Sequence, residues 1–443
     1  MTLAEQPTKS QQMLADAAVV IPGGVNTCRR QSTHGLCFER GRGAYLWDLD
    51  GRRYIDYHAA YGAVLLGHSH PAVTERVSAA IRDTVLFGAG VTRAEVALAR
   101  KIVEHLPSAD QVLVCNSGSE ATYHAIRLAR GVTRREKVVK FQGCYNGFHD
   151  YVLRNVMSPP ELVGRRAPES KGMLDAAIDA TLVCRFNDLA DVEATVADHP
   201  EQVAAIIVEP VAHNSPGLIP HPGFLEGLRR LCDREGALLI FDEVITGFRH
   251  HLGGYQAIAG VLPDITTLGK AIANGFPIAA VAGRRELMER YTTHPDGDVH
   301  FGGTFNGNAV AVEAALATVE QLEDGRVHEH VFALGERMRA GLREIATRAG
   351  MPAVVGGLGS LFVLCFMDGP LDSYDDVLRN DNALFVRYRR ELIARGVFEM
   401  PESLGRSHIS ASHTEDDIDR SLAAAEEALG AALDASARPR GVA

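Results

Sequence analysis

The chain has 443 residues, 46% hydrophobic and 23% charged, with a formal net charge of -11. That length exceeds one simple core, so two or three lobes are expected, and the acidic balance argues against a nucleic-acid partner, whose phosphates need a basic surface. No apolar run approaches the roughly 18 residues of a membrane helix, and the N-terminus lacks a basic segment followed by an apolar one, so neither a membrane partner nor a secretory signal is expected.

Residues 1–66 read as an N-terminal arm. IPGGV (21–25) is a turn, and GAYLWDLDGRRYIDY (43–57) alternates around Asp-Gly, which predicts a hairpin. Over residues 67–306, the short apolar runs QVLVCN, EKVVKF, QVAAIIVEP, ALLIFDEV and DITTLG alternate with helical patterns. The class is α/β, a mostly parallel sheet sandwiched by helices. Tyr151 to Met173, with Pro159, Pro160 and several charges, is a candidate lid. Residues 307–443 hold the amphipathic AVAVEAALATVEQLE, a strand-like LFVLCF and a helix after Thr414, read as a smaller α+β lobe. The tail ASARPRGVA is expected to be disordered.

In parallel sheets, ligands bind beyond the carboxyl ends of the strands, and every motif of interest falls there. NSGSEAT (116–122) follows QVLVC and opens a helix: Gly118 permits close backbone approach, Ser119 offers a hydroxyl, and the helix N-terminus attracts an anion. Taken alone it is a plain serine cap. In FQGCYNGFHD (141–150), Tyr145 can stack on a flat ring or simply pack its own loop. VEPVAHN (208–214) brings Asn214, read as a ligand contact, and Glu209, read as organising the site. FDEVITGFR (241–249) supplies Asp242, with Val244 next on the same face. TLGKAIANGFP (267–277) sets Lys270 among glycine and small apolar residues, where partial desolvation makes an amine nucleophilic. GGTFNGN (302–308) carries Thr304 in a glycine-rich turn, either a phosphate contact or a connector.

A lysine beside an apolar run, with a carboxylate delivered to the same sheet edge, suits a Schiff-base nucleophile and the acid that keeps a pyridine nitrogen protonated. That pairing is the protein side of pyridoxal 5'-phosphate chemistry. Other signals fail. A Walker loop would need glycine at 264 and Ser or Thr at 271, where Asp264 and Ala271 stand. No G-x-G-x-x-G follows a strand, which argues against a nicotinamide enzyme. The histidines lack metal-binding spacing, so no metal is expected. The seven cysteines (28, 37, 115, 144, 184, 232 and 365) form no C-x-x-C pair, which suits reduced thiols in a cytoplasm.

With these residues in place, the chain resembles the fold-type I, class III pyridoxal-phosphate-dependent aminotransferases, within them the glutamate-1-semialdehyde 2,1-aminomutase-like branch. The likeness runs from IPGGVNT and LWDLDGRRYIDY through NSGSEATYHAIRLARG, GCYNG and VEPVAHN to FDEVITGFR, TLGKAIANGFP, GGTFNGN and HTEDDID. It implies a large cofactor-binding domain, a smaller C-terminal domain and a homodimer with shared sites. It implies that Lys270 forms the Schiff base and shuttles protons, and that Asp242 binds the ring nitrogen between Val244 and Tyr145. Gly118 and Ser119 hold the phosphate, Thr304 does so from the neighbouring subunit, and Asn214 lies near the ring hydroxyl. Arg30 matches an arginine associated with substrate carboxylates; Tyr61 and Arg406 are further candidate substrate contacts.

The chain also departs from the aminomutase pattern. Tyr61 stands where that branch carries tryptophan, Asn146 where it carries histidine, and Gly405 near a glutamate. The expected reaction is therefore amino transfer from an amino-acid donor, through the pyridoxamine form, to a carbonyl acceptor such as a keto acid or an oxidised amino sugar. Intramolecular aminomutase activity is the first alternative, and a non-catalytic pyridoxal-phosphate-binding protein the second.

Overall fold

The computed structural model describes residues 7–33, 35–403 and 405–437. Its centre is a seven-stranded sheet made of β4 (Gln111–Cys115), β5 (Lys137–Phe141), β6 (Thr181–Cys184), β7 (Val203–Val208), β8 (Leu238–Glu243), β9 (Ile265–Leu268) and β10 (Ala279–Gly283). The spatial order is β4-β10-β9-β8-β7-β5-β6, with only β10 antiparallel to its neighbours. All six residues of β7 and of β8 are buried, as expected for strands covered on both faces.

Two of these strands were not singled out in the sequence. β10 reads AAVAG, and alanine and glycine are weak strand formers. Their small size instead lets β10 sit under the helix Gly118–Thr133, whose Ala121, Ala125 and Ile126 share a core with Ala279 and Val281. β6 reads TLVC, too short to show a period.

The expected hairpin is present: β2 (Tyr45–Asp48) pairs antiparallel with β3 (Arg53–Asp56), and β1 (Phe38–Arg42) adds to β2. The C-terminal part of the chain completes this sheet, because Val397–Phe398 pairs parallel with β3. Ile55 and Tyr57 accordingly share a core with the helices Arg326–Arg348, Asn382–Ala394 and Glu415–Ala437. The helix Ala309–Leu322 packs against Pro71–Asp83 and Arg93–His105 around Leu268 and Ala271. It is apolar nearly all round, with ten buried residues, which suits a place under the large sheet. The hydrophobic cores therefore cross the divisions drawn at residues 66 and 306.

Two other expectations can be located. In the candidate lid, Arg154 is buried and donates to Ile178 O and Thr181 O at 2.7 Å each, while the Tyr374 hydroxyl donates to Ser158 O. Its first third is thus bound into the domain, and residues 159–162 are exposed. Of the tail, residues 435–437 end the last helix, and 438–443 lie outside the described residues.

Candidate active site

The carboxyl ends of β4, β5, β7, β8 and β9 open on one cavity of about 280 Å³. Gly118, Ser119, Tyr145, Asp242, Val244 and Lys270 all line it, so six of the predicted residues, spread over 153 positions, meet in one place.

Asp242 is the last residue but one of β8 and is 4% exposed. One carboxylate oxygen accepts from Val244 N at 3.2 Å and from the Thr267 hydroxyl at 3.0 Å; the other accepts from Asn146 Nδ2 at 2.8 Å. These donors favour the anion, but burial outweighs them and pushes the carboxyl above its usual range. Lys270 follows β9 with φ of 45°, a left-handed conformation uncommon for a residue with a side chain. Burial, helped by the charge of Arg406, lowers its amine to about 7, while Glu209 and Asp242 pull the other way.

Glu209, read as organising the site, and Asn214, read as a ligand contact, lie side by side. Glu209 lines the cavity, accepts from Tyr145 N at 2.7 Å and is pushed up to about 7 by burial and the charge of Asp242. Asn214 turns its amide to both Glu209 oxygens, at 3.3 Å each, and is not among the cavity's lining residues.

The anion cradle is built by close approach. The Ser117 hydroxyl accepts from Glu120 N and caps the helix Gly118–Thr133, leaving its first amides free. A Cβ on Gly118 would fall 2.7 Å from Val244 Cγ1, so the backbone there tolerates only glycine. Phe148 N donates to the Ser119 hydroxyl at 3.2 Å, which folds the Tyr145 loop down onto the cradle.

Of the three residues read as substrate contacts, Arg406 is buried, and no hydrogen bond or ion pair among the described residues engages its guanidinium. Burial lowers it to about 10, with Glu209 as the strongest opposing charge. The Tyr61 hydroxyl is likewise buried and unpartnered. Arg30 is exposed and shares a second cavity of about 840 Å³ with Tyr61, His58 and Met400. Its neighbour Arg29, which sequence reasoning passed over, pairs with Glu402 at 3.2 Å. Thr304 is exposed and lies outside the Lys270 cavity of its own chain.

Sequence reasoning also missed Asn146 and Thr267 as partners of Asp242. The signal for Asn146 was present in the Tyr-Asn-Gly turn, but its partner Asp242 lies 96 residues away in the chain. A groove of about 740 Å³ along β4 holds none of the predicted residues and is lined by Val96, Val112 and Met288, among others. Among the described residues, no group of His, Cys, Asp or Glu can hold a metal ion, and no helix is long and apolar enough to cross a membrane.

The residues present fit pyridoxal phosphate. A glycine-only cradle and a lowered lysine amine line the same cavity, and the buried Asn146 Oδ1 beside Asp242 has no partner among the described residues.

Comparison with known proteins agrees. The family model for aminotransferase class-III matches residues 27–382. Glutamate-1-semialdehyde 2,1-aminomutase of Desulforudis audaxviator (strain MP104C) is 43% identical over 425 residues, covering 95% of this chain and 97% of that protein. The crystal structure of an omega-transaminase from Sphaerobacter thermophilus superposes with a TM-score of 0.91 at 34% identity, covering 97% of this chain and 99% of that one. A transaminase with PLP bound gives a TM-score of 0.89 at 30% identity, with 98% and 99% covered. The chain belongs to the class-III aminotransferases, enzymes dependent on pyridoxal phosphate.

Proposed function

We propose that the protein is an intermolecular aminotransferase, moving an amino group from an amino-acid donor to a carbonyl acceptor. Pyridoxal phosphate supplies an aldehyde that condenses with amines and a ring that accepts electrons from the amine-bearing carbon. The Lys270 amine, lowered to about 7 and so about half neutral at pH 7, takes the proton from the donor carbon and returns it to the acceptor carbon. The Asp242 carboxylate holds a proton on the ring nitrogen. The amides of Gly118 and Ser119, with the Ser119 hydroxyl, hold the phosphate, and Val244 and Tyr145 flank the ring. Asn214 acts by orienting Glu209 toward the ring hydroxyl.

One observation carries the reading: Arg406 is buried, its guanidinium has no hydrogen-bond or ion-pair partner among the described residues, and its charge is felt at Lys270. It suits bidentate capture of a donor carboxylate next to the reacting carbon. Tyr61 borders the same substrate, and Arg30 guards the outer cavity. The glutamate expected of the aminomutase branch also finds no room at Gly405, where a Cβ would fall 2.7 Å from Arg389 Nη1.

A panel of amino donors and carbonyl acceptors, followed through the cofactor spectrum, tests this. The 43% identity to an aminomutase favours the second reading. If 5-aminolevulinate formed from glutamate 1-semialdehyde with neither donor nor acceptor added, the intermolecular reading would be lost.

A homodimer completes the site, with Thr304 reaching the phosphate of the second copy. Ile81, Val85, Phe87 and Val91 are 53%, 53%, 65% and 72% exposed, and Phe305 beside Thr304 is 60% exposed, an apolar surface suited to a second copy. Light scattering that found a monomer would exclude this assembly. The unpaired cysteines support a cytoplasmic location.

A further inference from the structure

Ala59, Ala60 and Tyr61 take φ of 47°, 49° and 58°, and Gly62 follows at 83°. Left-handed backbone crowds Cβ against the next carbonyl, so three side-chain-bearing residues in a row persist only where the surroundings impose that conformation. Two anchors do so. At the start, the Asp56 carboxylate, itself bound by His68 Nε2 at 2.7 Å, accepts from His58 N at 2.9 Å and from Ala59 N at 3.2 Å.

At the end, Arg249 Nη2 donates to Gly62 O at 2.6 Å, and Nη1 donates to the Ser360 hydroxyl at 3.0 Å. Arg249 is 0% exposed, its Nε has no partner among the described residues, and the charge of Arg406 adds to burial in lowering its guanidinium. A buried cation without a counter-charge is costly, and an apolar side chain of similar length would fill the space without that cost. The two hydrogen bonds, one to the turn and one to the residue before the strand Leu361–Cys365, are what distinguish arginine here.

We propose that Arg249 is a positioning residue: it holds the Ala59–Gly62 turn in its left-handed form and thereby sets the Tyr61 side chain against Arg406, where substrate is recognised. The inference rests on the reading of Arg406 and Tyr61 as substrate contacts. Tyr61 lies close enough to Arg406 to act on its charge, and the Ala63 and Val64 amides close the turn onto Ala60 O and Ala59 O.

The experiment compares Arg249→Met, alone and combined with Tyr61→Phe, in the cofactor-loaded protein. Hydrogen exchange of the peptide spanning residues 59–64 rises about tenfold or more in Arg249→Met, while the cofactor band and exchange elsewhere stay as in the parent. Donor kcat/KM falls about tenfold or more through KM with Tyr61 present, and by less than about twofold in the Tyr61→Phe background, because the loss acts through Tyr61. Arg249→Lys, which keeps one donor within reach, recovers part of both effects and decides the exchange outcome should Arg249→Met fail to fold. Unchanged exchange over 59–64, or equal losses in the two backgrounds, overturns the proposal. Failure of every donor–acceptor pair would instead defeat the aminotransferase reading, while the exchange comparison still decides whether Arg249 holds the turn.

Discussion

Replacing Asn146 by alanine isolates the environment that sets the charge of Asp242. Asn146 is 1% exposed, and its Nδ2 supplies one of three donors to the Asp242 carboxylate, at 2.8 Å. A hydrogen bond to a charged group contributes about 1.5–3 kcal/mol, and about 1.4 kcal/mol is tenfold in an equilibrium. The ionised fraction of Asp242 therefore stands to lose one to two orders of magnitude of support. Burial already pushes this carboxyl up, so losing a donor moves it further toward the neutral acid, which cannot hold a proton on a ring nitrogen.

Two consequences are expected for Asn146→Ala. The acid limb of the donor half-reaction moves to higher pH by about one to two units, and kcat/KM at neutral pH falls by about ten- to a hundredfold. Asn146→Asp, which sets a like charge against Asp242, has the larger effect. Stopped-flow measurement of the cofactor band across pH reads both. An unshifted acid limb with kcat/KM within about twofold of the parent would refute the assignment of Asn146 as a determinant of Asp242 ionisation.

Three further expectations concern other charges. Burial lowers the Lys270 amine to about 7, so its free-base form grows as pH rises toward 7 and levels above it. Addition of the apoprotein to an aromatic aldehyde accordingly rises about tenfold per pH unit below 7; a rate still climbing through pH 9 contradicts this. Arg406→Met raises KM for a carboxylate-bearing donor by about tenfold or more, and changes KM little for an amine without a carboxylate; equal changes for both would remove Arg406 from substrate recognition. His413 and His250 are 1% and 2% exposed, and burial holds them down to about 4 and about 3. Both are neutral in the fold while the unfolded chain takes up protons below about 6.5, so their contribution is intact above that pH and lost as pH falls toward 4. The loss is about 1.4 kcal/mol per unit for each group, checked by urea denaturation between pH 7 and 4; a flat stability over that range would refute it.

Much of the site was legible because its chemistry is local. Lys270 after a small apolar strand, Asp242 near the end of another and Gly118 opening a helix each carry a residue-level reason to be where they are, and all three line the same cavity. Asn146, Thr267 and Arg249 were not legible, because each acts on a group far away in the chain, at separations of 96, 25 and 187 residues. Asn214 shows the same limit from the other side. Its motif located the strand end, but which of two polar side chains faces the cavity depends on a turn that no periodicity encodes.

The amino-acid sequence by itself determined the strand–helix alternation, the parallel sheet and the chemical inventory at its edge, since hydrophobic period and turn chemistry act over a few residues. Tertiary structure alone decided the strand order, the pairing of Val397–Phe398 with the N-terminal hairpin, and the burial of Arg406 and Arg249. The lowered lysine, the raised carboxyls and the lowered guanidinium groups come from desolvation, a property of how distant segments enclose a group rather than of the residues beside it in the chain.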